Sequence, residues 1–202
     1  MSWNAQKWTQ VTLSSVAGLG AGQAFVGLVV DALEDRGSIG DAVGHLVGLP
    51  LAFAAFVVAM AAVLRPGRRT VVSWLLATAV GSTVAYLAGY AFAGPPVDFA
   101  ASILLAGLIL GVVEWRALHR RSASGAGRCL ASAVAGYTLG AVAGVAAAVA
   151  IAPHLPDGAL WYGLLTAILG AVAGAVGGAV NGYVLSRFWW ASRVPASPVA
   201  QW

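Results

Sequence analysis

Few side chains in this sequence have the chemistry to do more than pack, and each lies in or beside a strongly apolar stretch. Glu114 stands about one turn inside the end of an apolar run, in Gly111-Val-Val-Glu114-Trp115-Arg116. A carboxylate held in hydrocarbon is costly unless it is paired. One reading pairs Glu114 with Arg116, Arg120 or Arg121, whose long stems snorkel to the interface. The other gives it a proton or a substrate to hold. Gln23 follows Gly18, Gly20 and Gly22, so a neighbouring helix can come close to it. Its amide offers both a donor and an acceptor. An interhelical hydrogen bond is expected there, with ligand binding as the alternative.

His45 precedes Pro50. Proline lacks an N–H and frees the carbonyl of Leu46, and the resulting kink would open a small polar pocket around His45. A lone histidine in such a helix is expected to pack rather than to ligate. His119 and His154 are read as loop residues on opposite sides, so the three histidines share no metal. Thr78, Ser82 and Tyr86 fall on one helix face and offer a weakly polar lining. The serine and threonine hydroxyls there are able to bond the i−4 carbonyls of their own helix.

Other chemistry is missing from the pattern. There is no GxSxG, no phosphate-binding glycine loop, no HExxH and no paired acidic cluster. No lysine interrupts an apolar span, and Cys129 is the single thiol. No catalytic residue, metal ligand or cofactor is expected.

The elements that position these residues are set by composition. Of 202 residues, 60% are hydrophobic and only 9% charged, with a mean hydropathy of +0.85. A soluble domain carries about 25% charged residues. So few charges cannot solvate a globular surface, which leaves an all-α integral membrane protein. The net charge of +4 reflects scarce acids rather than a dense basic face, so no nucleic-acid partner is expected.

A transmembrane helix needs about 20 mostly apolar residues. Six stretches qualify: 9–33, 42–64, 70–93, 97–118, 129–152 and 159–185. Charged or Gly/Pro-rich breakers separate them, including Arg65-Pro66-Gly67, Gly94-Pro95-Pro96 and the Ser/Gly run 122–127. The expected domain is one compact six-helix bundle over 1–190, followed by a mobile cytoplasmic tail over 191–202. Lys7, Arg65, Arg68, Arg69, Arg116, Arg120, Arg121, Arg128, Arg187 and Arg193 all fall on one side of this topology, and Arg36 alone falls on the other. The positive-inside rule then makes both termini cytoplasmic. Trp3, Trp8, Trp74, Trp115, Trp189 and Trp190 are expected at that interface, with Trp161 and Tyr162 at the opposite one.

Lipid does not drive helices together, so close packing needs small residues. Rows at a spacing of four keep to one helix face. The third span has Gly81, Ala85, Gly89 and Ala93. The fifth has Gly136, Gly140, Gly144 and Ala148. The sixth has Gly170, Gly174, Gly178 and Gly182. Such rows predict a compact bundle rather than a pore, and they also permit a homo-oligomer or a membrane-protein partner. Val57 lies off these rows, and Val57→Leu is expected to have little effect if that position faces lipid.

The ends of the fourth and sixth spans share a pattern: Gly107xxxGly111xxGlu114xxxLeu118xArg120 and Gly174xxxGly178xxAsn181xxxLeu185xArg187. A duplicated two-helix unit is implied, with Asn181 as the counterpart of Glu114 and as an interhelical hydrogen-bonding group. The segment around Gly107, Gly111, Glu114 and Trp115 resembles the GxxxGxx[Q/E]WxxLR units of uncharacterised small multi-pass bacterial membrane proteins. That resemblance implies a membrane location and no particular activity. The Ala/Gly/Arg-rich, Lys-poor composition fits a high-GC bacterium and its inner membrane. Six spans and cytoplasmic ends are also similar in outline to the substrate-binding components of energy-coupling-factor transporters.

Three functions fit. The first is a non-catalytic permease component or membrane-complex subunit. The second is a structural or assembly factor. The third is a lipid- or isoprenoid-modifying enzyme with Glu114 or Asp31 as acid.

Overall fold

A computed structural model of the chain describes residues 4–34, 37–92, 108, 111–112, 115–116, 119, 123–156 and 158–188. Glu114, Gly107 and the tail 191–202 lie outside them. The described elements are all helical: α1 (Ala5–Glu34), α2 (Gly37–Leu64), α3 (Arg68–Phe92), α4 (Ala123–Ile151), a 3-10 turn (Ala152–His154) and α5 (Ala159–Phe188). Four apolar stretches within α1, α2, α4–3-10 and α5 are long enough to cross a membrane: Ala5–Leu33, Ala42–Leu64, Gly125–His154 and Leu160–Phe188. At about 1.5 Å per residue, the 30 residues of α1 reach about 45 Å. That spans a hydrocarbon core of about 30 Å and both interfaces.

The outer faces are apolar. Leu76, Val80, Val84 and Leu87 form an exposed stripe along α3, and Val47, Leu51 and Val58 another along α2. Leu139, Val142 and Val149 do the same on α4. In water such stripes would be a liability; against lipid they are the expected exterior.

Helices α1 and α5 pack most closely, with α2 beside α1, α4 beside α5, and α3 against α2. The glycine rows make these seams. A methyl group at Gly140 would stand 2.5 Å from the Ala173 carbonyl oxygen, and one at Gly144 2.7 Å from that of Leu169. Gly136 meets the Gly177 carbonyl in the same way. The second row turns to α1: Gly170 abuts Leu19, Gly174 abuts Ser15, and Gly178 abuts Ser15 and Thr12. α5 thus shows one small-residue face to each neighbour. Gly111, in the stretch expected as a fourth span, abuts Leu130 and Ala133 of α4. Gly81 is buried in α3, and Gly89 lies near that helix's end.

Several expectations change. Most of the Ser/Gly run lies inside α4: the helix already begins at Ala123, and Gly125 and Ala126 are buried. Burial against neighbours outweighs glycine's poor helix propensity there. Residue 119 is helical rather than looped. Val57 is 0% exposed and belongs to the core, whereas Val58 is 58% exposed. A small-residue row marks only one of a helix's buried faces, so lying off it does not place a residue in lipid. Trp74 is likewise buried in the core rather than facing the interface.

Candidate functional site

The centre of the bundle is built where four helices meet. Ser15 of α1 is fully buried, and its Oγ lies 3.4 Å from Met60 Sδ of α2 and 3.4 Å from Tyr137 Oη of α4. The Tyr137 ring stands edge-on to Phe56 of α2 at 5.7 Å between centroids. It reaches them across α5, where Gly177 leaves it room: a methyl group there would collide with the ring. A single tyrosine of α4 therefore touches α1, α2 and α5. The pattern in the sequence that signals this is one aromatic ring in an otherwise small-residue span, which requires a bare surface opposite. The rows at 170–182 pass over Gly177, and Ser15 and Tyr137 go unnoticed without it.

Gln23 lies two turns along α1 from Ser15 and is 0% exposed. The hydrogen bond expected between helices is not made: both Nε2 and Oε1 are buried without a partner. What faces its stem is Gly170, which carries no side chain, and helical carbonyls are already engaged in their own ladders. Burying an amide unsatisfied costs about 1–3 kcal/mol per group on mutational scales.

The other singled-out residues have neighbours. Asn181 is buried, and its Oδ1 accepts a hydrogen bond of 2.9 Å from Ser132 Oγ of α4, an interhelical bond as its position predicts. His45 stacks on Tyr86 of α3, with centroids 4.9 Å apart and planes within 9°; it packs between helices, and α2 continues as a helix through Pro50. Thr78 donates to the Trp74 carbonyl at 2.7 Å and Ser82 to that of Ala79 at 3.0 Å. These hydroxyls thus bond carbonyls of their own helix. Trp8 is more than a belt residue, since its Nε1 donates to the Ala179 carbonyl at 2.9 Å.

Among the described residues, the buried polar side chains are Ser15, Gln23, Thr78, Ser82, Ser132, Thr166, Asn181 and Ser186. All are neutral, so the described part of the interior is suited to hydrogen bonding with uncharged groups.

Interhelical contacts also sort the ends. Trp8 and Ala179, Ser132 and Asn181, and the Arg128 guanidinium over the Phe188 ring at 5.5 Å put the starts of α1 and α4 beside the end of α5. Lys7 and Arg65 line one cleft, which adds the end of α2. Lys7, Arg65, Arg128 and Arg187 therefore gather at one end of the bundle, with Arg68 and Arg69 just after the Arg65–Gly67 connector.

Compared with protein-family models, curated proteins and solved structures, the chain matches none.

Proposed function

We propose that the chain is a six-span, non-catalytic protein of the cell membrane, with both termini cytoplasmic, that serves as a small-solute permease component. The clustered cations at one bundle end support the orientation, because that end should lie on the cytoplasmic side. The observation that carries the solute reading is Gln23, a buried amide whose donor and acceptor are both unused. A group that costs this much to bury is commonly retained for function. Its chemistry selects a small, neutral, polar solute that offers one acceptor and one donor. In cells lacking the protein, Gln23→Met expressed at the normal level is expected to fail to restore the phenotype. Gln23→Met removes the amide while keeping an unbranched side chain of similar length. Full restoration by this variant would contradict the reading.

A second reading, a structural or assembly subunit, is favoured by how tightly the bundle closes around that position. A methyl group at Gly22 would stand 2.6 Å from the Ala52 carbonyl oxygen. On this reading Gln23→Met restores the phenotype, and the tagged protein copurifies with a membrane partner.

A further inference from the structure

We infer that the cleft between the start of α1 and the end of α2 binds the phosphate headgroup of an anionic phospholipid. The cleft has a volume of about 640 Å³. Lys7 lines it from α1 and Arg65 from the residue just after α2, and Gln10 and Ser14 add polar groups on the α1 side. Lys7 Nζ donates to Gln10 Oε1 at 3.4 Å, so ammonium and amide work over the same space. An ammonium and a guanidinium together match a phosphate diester: Arg supplies a planar fork of donors and Lys a point charge. Leu13, Ala62 and Val63 form the apolar part of the lining. Leu13 is 61% exposed and continues into the outward apolar surface. A free anion has no use for that wall, whereas a lipid's acyl chains do, and this selects the lipid.

The backbone at Arg65 is a second, separate observation. Its φ is +46°, a left-handed conformation at the helix end where glycine is the usual residue. A side chain there is disfavoured, yet the sequence spends an arginine on the position, with Gly67 only two residues on. The Arg65 N–H bonds the Ala61 carbonyl at 2.8 Å, so the turn closes α2 and holds the cation at the cleft. The cleft also lies at the end of the bundle where the cations gather, the end that the proposed orientation sets at the cytoplasmic membrane surface. The inference rests on that reading.

The test uses the full chain, purified in a neutral detergent. Thermal unfolding is followed while phosphatidylglycerol, phosphatidylcholine of the same acyl chains, or inorganic phosphate is titrated in. Phosphatidylglycerol is expected to stabilise the protein at lower concentration than phosphatidylcholine, with little effect from inorganic phosphate. At about fivefold per surface cation, Lys7→Gln with Arg65→Gln should weaken the phosphatidylglycerol effect roughly thirtyfold. Arg68→Gln with Arg69→Gln removes the same charge outside the cleft and should leave most of the effect in place. Arg65→Gly relieves the left-handed strain, so it should fold at least as well as the parent while losing about fivefold in lipid sensitivity. Equal response to the two lipids, equal loss in both double variants, undiminished sensitivity in Arg65→Gly, or phosphate acting as well as the lipid would each overturn the inference. Alkaline carbonate washing of membranes separates the two failures. A chain that washes off contradicts the membrane reading itself. A chain that stays but ignores lipid charge contradicts only the headgroup site.

Discussion

Asn181 and Gln23 show how far single residues were legible. Both are amides in apolar helices, and sequence alone marks both as buried and facing a neighbour. For Asn181 the partner exists, because Ser132 lies across the α4–α5 seam. For Gln23 the surface opposite is glycine, and no local pattern reveals what another helix will present 147 residues away (170 against 23). Two predictions belong here. Gln23→Met should stabilise the detergent-purified protein by about 1–3 kcal/mol, because an unsatisfied amide gives way to an apolar chain of like shape; unfolding by heat measures it, and a clear loss of stability would show that the amide has a protein partner. Ser132→Ala and Asn181→Ala should be non-additive. Their double-mutant cycle is expected to give a coupling of about 0.6 kcal/mol and no more than about 1.7, and zero coupling would mean that the bond contributes nothing.

At the scale of elements, the small-residue rows on α4 and α5 were readable and fall on real seams, because their spacing reports directly how near two backbones can come. The rest was less readable. Gly177 lies off the row yet cradles Tyr137, and helix α4 runs back through a Ser/Gly segment that local propensity reads as a loop. The first is decided by the partner helix, and the second shows in the burial of Gly125 and Ala126. Gly140→Leu forces a branched side chain against the Ala173 backbone. Overpacking of this kind costs about 1–3 kcal/mol and occasionally more, and a side chain facing main chain has little room to adapt. Val58→Leu, at an exposed position on α2, should change the unfolding temperature little. Equal tolerance of the two substitutions would dismiss the Gly140 seam. Val57→Leu should resemble Gly140→Leu rather than Val58→Leu, because Val57 is enclosed in the core.

For the whole molecule, the class of the protein was legible from composition, since an apolar exterior needs no knowledge of which helix touches which. Charge was legible for the same reason: the sequence segregates cations by loop, and contacts among Trp8, Ala179, Ser132, Asn181, Arg128 and Phe188 bring together the helix ends that carry Lys7, Arg128 and Arg187. The bundle's tyrosine hub and its basic cleft were not legible, because each is assembled from residues far apart in the chain. The central claim is a six-span bundle embedded in the membrane with its basic end in the cytoplasm. Accessibility of single cysteines in intact cells tests it most directly, in a background where buried Cys129 is replaced by alanine. Cysteines at Gly37 and Gly158 should react with a membrane-impermeant maleimide from outside, and those at Ser122 and Ser197 only after the cells are opened. Labelling of Ser122 or Ser197 in intact cells would contradict the account.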